Sequence, residues 1–541
     1  MPLRSTAKVK QLTLVACILG SGIALLDSTV VNVALPTIQR DLGGGLATQQ
    51  WAVNAYMLTL GSLILIGGSL ADLYGERRIF ALGVGGFGLA SLGCALAPNV
   101  QALIAARAIQ GVAGALLTPS ALAVIVSTFP TAERGPAIGS WTAWGAVAMV
   151  LGPLAGGELL AVGSWRLIFL VNIPFVLACL TLILAVMPRE ERSRRGLSQV
   201  DLLGALLCAL ALGGPVFALI EQPRLGWSSP AVIVPLPAGV ALLACFVLHE
   251  ARARDPMLPL SLFSRGNFSV GNLQTLSMYA GLAIMSFFLI LFLQQIGGYT
   301  PLQSGLATLP ITLVMLTLSR RFGALADRFG PRLFMGLGPL IAACGLLLFQ
   351  RLGAHVDYLS DVLPAVIVFA LGLSMTVAPL TAAVLADVHE REAGIASAVN
   401  NAIARVAALL GTAAVGAAVA ASFSSALDAR LAHNTLTPPA QMAVRQAKLL
   451  PLGRPNVHAL PSAQAREVSS AAEAASLESF HLGIGIAALL VAVGGVTGLV
   501  GIRNPRRVVR AAECEGGQLV GAALDAAGCS EEGEAQPMLS A

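Results

Sequence analysis

The chain has 541 residues, of which 56% are hydrophobic and only 11% charged, and its mean hydropathy is +0.79. Soluble domains carry roughly one-quarter charged residues, so this composition excludes a set of soluble domains and indicates a membrane protein. The net charge of +5 comes from basic residues spread over short segments, which argues against a nucleic-acid-binding patch.

Apolar runs recur from end to end, and each is long enough to cross about 30 Å of hydrocarbon as a helix. The short alternating segments of a β-barrel do not occur in the sequence. We therefore predict an all-α polytopic membrane protein with fourteen spans. The spans are expected at about 11–34, 50–70, 79–97, 102–126, 137–161, 167–187, 201–220, 231–249, 268–293, 303–319, 332–350, 362–386, 394–420 and 480–501.

The order of these spans predicts two six-helix bundles, at 1–187 and 267–501. The segment 188–266 joins them and contains two extra transmembrane helices. A long outer segment at about 421–479 interrupts the second bundle, and its Ala-rich stretches at 440–449 and 463–478 are expected to form short surface helices. The tail at 502–541 is acidic beyond Arg510 and is expected to be disordered.

The distribution of Lys and Arg predicts the orientation, because cytoplasmic loops retain positive charge. With the N-terminus inside, the cytoplasmic segments hold 22 of these residues and the short outer loops hold four. We expect a multi-pass protein of the cell membrane with both termini in the cytoplasm. The first apolar run exceeds 20 residues and reads as a retained span rather than a cleaved signal peptide.

A charged loop occurs twice between apolar spans, as Gly68-Ser-Leu-Ala-Asp72-Leu-Tyr-Gly75-Glu-Arg77-Arg78 and as Gly323-Ala-Leu-Ala-Asp327-Arg-Phe-Gly330-Pro-Arg332. The repeat indicates duplication of the two halves. Its glycines permit a tight turn, and its aspartate can pair with the nearby arginines or face a helix N-terminus. We predict two cytoplasmic loops, to which the resemblance described below assigns a gating role. A loop that is polar only to fix the topology remains the alternative, more so for the second copy.

Ionisable side chains are rare within the spans, and each is a functional candidate because its burial in a membrane is costly. Asp27 in the first span and Arg107 in the fourth are expected at similar depth, toward the outer side. A carboxylate that faces a guanidinium can keep its charge until a proton or a cationic substrate changes the balance. A purely structural contact between helices is the alternative.

The fifth span carries Gly145, Gly152, Gly156 and Gly157 on nearly one face, together with Pro153. Small residues allow close helix packing and proline bends a helix, so we predict a hinge. Glu158 is expected at the outer mouth, as a solvated rim residue or a second proton site.

Further polar residues are candidates for the lining of a cavity, although hydrogen bonds between helices explain them equally well. Arg405 is expected to contact substrate or to pair with a carboxylate. The cavity candidates are Asn32, Asn54, Gln110, Asn272, Gln274, Gln294, Gln295 and Arg405. No metal-ligand spacing and no Gly-x-x-x-x-Gly-Lys motif occurs in the sequence, so we expect neither a metal nor ATP as a partner.

Several motifs resemble those of one family. The segment Leu26-Asp27-Ser-Thr29-Val-Val-Asn32-Val-Ala-Leu-Pro36 is similar to the first-span signature of the fourteen-span drug:proton antiporters of the major facilitator superfamily. The repeated loops match the superfamily's paired loops, and the resemblance covers residues 11 to about 501. The other matching segments are Leu103-x-x-x-Arg107-x-x-Gln110-Gly111, Gly152-Pro153-x-x-Gly156-Gly157, Trp165-Arg166-x-x-Phe169-x-x-Asn172-x-Pro174, Gln294-Gln295-x-x-Gly298 and Gly394-x-Ala-Ser397-x-x-Asn400-Asn401.

The resemblance implies a major facilitator fold that exports drugs or other lipophilic or cationic molecules by alternating access. It implies a monomer with no cofactor, driven by the proton gradient, in which Asp72, and less clearly Asp327, latches the halves together. Export of an endogenous metabolite, lipid or siderophore is the nearest alternative, and a non-transporting sensor or assembly protein is another.

Overall fold

The computed structural model describes residues 6–187, 201–253, 256–386, 388 and 392–504, and within these ranges the protein is helical and contains no strand. Fourteen helices in this part of the chain are long and apolar enough to span a membrane. The predicted all-α polytopic fold with fourteen spans is therefore confirmed. The linker at 188–200 and the tail beyond 504 lie outside the described residues, so the predicted disorder of the tail stays a prediction.

Seven helices form the first half, in which α6 and α7 together make the sixth span. Their bounds are α1 Thr6–Leu42, α2 Gly45–Tyr74, α3 Glu76–Ala95, α4 Val100–Thr128, α5 Thr131–Val162, α6 Leu167–Leu170 and α7 Asn172–Val186. The two extra spans follow, the second of them made of two helical segments. They are α8 Leu202–Leu225, α9 Pro230–Ile233 and α10 Pro235–Glu250.

The second half contains six spans and one short helix in the segment before the last span. Its helices are α11 Gly266–Gln295, α12 Pro301–Phe329, α13 Pro331–Leu348, α14 Leu363–Ala386, α15 Ala393–Leu431, α16 Pro438–Lys448 and α17 Ser462–Gly501.

The last two long helices extend far beyond the spans expected from hydropathy. We expected spans to end near 420 and to begin near 480, whereas α15 runs to Leu431 and α17 begins at Ser462. The Ala-rich stretch at 463–478 is thus part of α17 rather than a separate surface helix. Alanine favours helix strongly. The extended end of α15 and the extended start of α17 pack against each other through an apolar cluster. This cluster contains Phe423, Leu427, Leu431, Val468, Ala472 and Ala475.

The two halves meet along two seams. One lies between α2 and α15 and the other between α5 and α12, with further contact of α1 with α11 and α12. The extra helix α8 packs on both α2 and α15, so the added pair covers one seam from outside. An apolar cluster that includes Leu212, Val216 and Leu409 holds it there.

The ends of the bundle differ. We call the end where α1 begins and α17 ends the terminal face, and the end that carries residues 432–461 the loop face. At the terminal face Lys10 pairs with Glu133 at 2.7 Å. At the loop face the Leu46 N–H donates to the Leu449 carbonyl at 2.9 Å. Residues 432–461 thereby bind the start of α2 in the other half.

Candidate functional site

Asp27 and Arg107 meet in the middle of the first bundle. Arg107 Nη1 lies 2.5 Å from Asp27 Oδ2, and the two side chains are 1% and 0% exposed. The sequence predicted this proximity from depth alone. The structure brings the two residues together because α1 and α4 pack against each other inside the first half.

Two amides and a hydroxyl complete the network around Asp27. Gln110 Nε2 donates to Asp27 Oδ1 at 3.0 Å and to Ser91 Oγ at 2.9 Å. Asn172 Nδ2 donates to the same Asp27 oxygen at 3.2 Å. Since Arg107 Nη1 also donates to Gln110 Oε1 at 2.6 Å, the charged pair is held by residues of four helices.

Arg107 also contacts α2. Its Nε donates to the Ala52 carbonyl at 2.8 Å, and its guanidinium carbon lies 4.6 Å from the ring centre of Tyr56. Phe169 lies on another side, at 5.8 Å. Aromatic faces attract a guanidinium, so Tyr56 and Phe169 both hold the cation and cover it.

The local sequence explains why the pair can be buried. Arg107 and Gln110 are three residues apart and therefore lie on one face of α4. Gly111 lets α4 approach α2, because a Cβ there would lie 2.3 Å from the Tyr56 carbonyl oxygen. Buried charges need both a partner and hydrogen bonds, and this network supplies both. In the conformation described here neither solvent nor a cargo molecule reaches Asp27.

Two cavity candidates, Asn54 and Gln294, bridge the two halves instead of lining an open space. Thr412 Oγ1 donates to Asn54 Oδ1 at 3.0 Å, and Gln50 Nε2 donates to the Thr412 carbonyl at 2.7 Å. Gln294 Nε2 donates to the Val33 carbonyl at 2.9 Å. Asn32 makes only a local bond to the Ser28 carbonyl. The bridging bonds hold the two halves together on the loop-face side.

The C-terminal half contains its own buried polar cluster. Asn400 Nδ2 donates to Asn272 Oδ1 at 2.8 Å and to Thr275 Oγ1 at 2.7 Å. Gln274 bonds the Met335 carbonyl. Both predicted amides therefore serve contacts between helices of the second half.

Arg405 lies at the α2–α15 seam. A Cβ placed on Gly61 of α2 would meet the Cβ of Arg405 at 3.2 Å. The side chain is partly exposed. It thus lies between the two bundles.

The two charged loops have the same geometry, as duplication predicts. Gly75 has φ 91° and Gly330 has φ 85°. Residues other than glycine rarely adopt such positive φ angles. Arg77 Nε donates to the Ile183 carbonyl at 3.2 Å, at the end of the last span of the first bundle. Arg332 Nε donates to the Leu499 carbonyl at 2.6 Å, at the end of the last helix of the second bundle.

Each arginine therefore fastens its loop to its own half, where a basic group suits the carbonyls of a helix C-terminus. Arg78 is exposed, Gly68 lies within α2, and Asp327 is partly buried. The side chain of Asp72 lies outside the described residues, so its role as a latch stays a prediction.

The fifth-span glycines face two neighbours rather than one. A Cβ on Gly152 would meet Thr29 of α1 at 1.9 Å, and Gly145 and Gly156 also face α1. A Cβ on Gly157 would lie 2.4 Å from the Cα of Leu302 in α12, and Pro153 contacts Gly305 there. The expectation of a single face is wrong for Gly157, because adjacent helical positions are rotated by about 100°.

Glu158 is exposed next to this seam. Among the described residues no group of three or more His, Cys, Asp or Glu side chains could hold a metal ion.

Sequence reasoning missed part of the network around Asp27. Asn172 was noted only as a motif position, and Ser91, Tyr56 and the Ala52 carbonyl were not singled out. Polar residues next to an intramembrane ion pair are the signal that could have found Ser91 and Asn172. A backbone carbonyl gives no signal in the sequence.

Comparison with known proteins identifies the family of this chain. Residues 17–412 match the model of the Major Facilitator Superfamily. A bacterial homologue of the lysosomal transporter Spinster, solved in an inward-facing conformation, has a TM-score of 0.62 at 18% identity. That alignment covers 92% of this chain and 99% of the other, and it supports the fold alone.

Similar sequences include proteins described as drug-resistance or drug-export proteins. A puromycin resistance protein of Streptomyces alboniger is 39% identical over 74% of this chain and 80% of its own length. A multidrug resistance protein of Mycobacterium tuberculosis is 33% identical over 83% of each chain. A tetracenomycin C resistance and export protein of Streptomyces glaucescens is 33% identical over 75% of this chain and 76% of its own length.

Proposed function

This chain belongs to the Major Facilitator Superfamily and is a multi-pass membrane transporter rather than an enzyme; from this premise we propose that it is a proton-coupled antiporter that exports drugs or similar lipophilic molecules from the cell. The observation that carries the proposal is the buried Asp27–Arg107 pair inside one half of the fold. The drug-resistance relatives support the direction of transport and the kind of cargo.

Protonation of Asp27 is the step that drives the change of state. A proton on the carboxylate removes its charge and leaves the Arg107 guanidinium without a buried counter-ion, which is costly in a low-dielectric interior. Arg107 then moves or becomes solvated. Because Arg107 also holds the Ala52 carbonyl and lies against Tyr56, its displacement acts directly on α2.

Helix α2 connects the pair to the other half. It carries Gln50 and Asn54, which bond Thr412 of α15 across the seam. Protonation of Asp27 therefore weakens contacts that keep the loop face closed. Under this proposal the loop face is extracytoplasmic, both termini are cytoplasmic, and a proton that enters from outside favours release of cargo outward. A ligand shifts such an equilibrium only by its different affinity for the two states.

The test is Asp27→Asn in inverted membrane vesicles. The variant has a neutral side chain of nearly the same shape that can be neither ionised nor protonated, so lipophilic compounds should release no protons above the level of vesicles that lack the protein. The measurement is the recovery of a pH-sensitive dye after addition of compound. Asp41→Asn is the matched control on α1, because Asp41 pairs with Arg166 at the loop face and should leave coupling intact. Normal coupling in Asp27→Asn would disprove the mechanism.

A second candidate is export of an endogenous product. It is favoured by relatives described as exporters of particular compounds, such as a probable actinorhodin transporter that is 33% identical. Growth inhibition by a broad panel of antibiotics, compared in cells with and without the gene, separates the two. A response limited to a molecule that the cell itself makes would favour the second candidate.

A further inference from the structure

Arg405 is a second cation within the spanning part of the molecule, and it faces the interior rather than lipid. It packs against Gly61 of α2, which belongs to the other half. A side chain placed between helices of both halves lies where an alternating-access transporter holds its cargo.

No carboxylate of the described part of the chain balances this charge. Arg405 makes neither a hydrogen bond nor an ion pair among the described residues. Asp27 is already neutralised by Arg107, and its two oxygens also accept from Gln110 and Asn172. The Asp27–Arg107 pair is neutral as a unit, so the seam keeps one net positive charge at Arg405.

A charge inside the membrane is costly, and such residues normally pair with each other or with a substrate. The side chain of Arg405 is partly exposed, whereas the side chains of Asp27 and Arg107 are buried. A guanidinium without a protein partner has N–H donors that suit an anionic group of a lipophilic molecule.

We propose that Arg405 forms an anion-binding subsite for the cargo, so that the transporter prefers lipophilic molecules with a carboxylate, sulfonate or phenolate group. This inference rests on the proposed function, because it names the charge of the exported molecule. It reverses the cationic cargo that the sequence suggested.

The experiment measures equilibrium binding to the purified full-length protein in detergent, without any gradient. Three probes share a pyrene fluorophore and differ only in a sulfonate, hydroxyl or trimethylammonium group, and their binding is followed by fluorescence anisotropy. Arg405→Met should weaken binding of the sulfonate at least tenfold, equal to about 1.4 kcal/mol. It should change binding of the alcohol less than about twofold, because the alcohol carries no charge. Arg405→Lys keeps the positive charge and should lose less sulfonate affinity than Arg405→Met.

Arg430→Met is the matched control, because Arg430 lies on the same helix but pairs with Glu478 at the loop face. It should bind all three probes like the wild type. Unchanged sulfonate affinity in Arg405→Met, an equal loss for all three probes, or a wild type that prefers the ammonium probe would each overturn the inference. If Arg405→Met does not fold, Arg405→Gln replaces it in the same comparison. The proposed function is judged separately, by proton release in vesicles, so the two can fail independently.

Discussion

At Asp27 the carboxylate receives donors from Arg107, Gln110 and Asn172, which lie on two other helices. The ionised form is therefore stable inside the bundle only while all these donors stay in place. Burial makes the stability of the protein sensitive to the loss of either charge. When one partner of a buried pair is removed, nothing compensates for the desolvation of the other. Under the proposed mechanism, the same sensitivity lets a single proton on Asp27 alter the packing of several helices.

This sensitivity can be measured by a double-mutant cycle. Arg107→Met leaves Asp27 buried without a cation and should destabilise the protein by about 3–5 kcal/mol. The double variant Asp27→Asn/Arg107→Met removes both charges and should recover most of that loss. Thermal unfolding of the purified proteins, followed by intrinsic tryptophan fluorescence, gives the comparison. A double variant no more stable than Arg107→Met would show that the pair is not an isolated electrostatic unit.

At this scale the sequence predicted the charged residues better than their surroundings. Asp27, Arg107 and Gln110 stand out because polar groups are rare within apolar spans. The Ala52 carbonyl and the ring of Tyr56 enter the site only through the packing of α2 on α4. Contacts set by the approach of two helices cannot be derived from one sequence by spacing alone.

At the scale of elements, α5 shows how one glycine-rich helix serves two neighbours. Gly152 and Gly156 bring it against α1 of the same bundle, whereas Gly157 brings it against α12 of the other. The first contact is internal to a rigid half, and the second must separate when the loop face opens. The sequence predicted close packing, but the partner of each glycine depends on how the halves are placed.

The seam between α5 and α12 should be weakened by Gly157→Ala. The new Cβ would lie 2.4 Å from the Cα of Leu302, which no side-chain rotation relieves. We expect a shift toward a conformation open at the loop face. Labelling of Ser304→Cys by a maleimide, in a background without the eight native cysteines, should accelerate about fivefold, the effect of about 1 kcal/mol.

The matched control for this substitution is Gly85→Ala in α3. There the nearest atom, Leu180 Cδ1, is 4.0 Å from the new Cβ, an ordinary contact. This variant should label like its parent. Equal labelling of Gly157→Ala and its parent would mean that the seam absorbs a methyl group, and the packing argument would fail.

At the scale of the whole molecule, span number and order follow from hydropathy because every span is long and apolar. The duplication follows from the repeated loops, whose glycines share one backbone geometry. The position of residues 432–461 does not follow, since it depends on contacts between residues far apart in the chain. Leu46 bonds Leu449, and a cavity of about 290 Å³ lies beside this contact, lined by Gln50, Arg224 and Arg454 among others.

The orientation of the molecule is the remaining prediction at this scale. Charge counts place the terminal face in the cytoplasm, so the loop face should react with reagents outside the cell. Asn456 on the loop face and Arg328 near the terminal face are both exposed. In the cysteine-free background, a membrane-impermeant maleimide should label Asn456→Cys in intact cells and Arg328→Cys only in inverted vesicles. The reverse pattern would place the loop face in the cytoplasm. Protons from outside could then not reach Asp27 through the loop face and the proposed outward release of cargo would fail, so this labelling also tests the direction of transport.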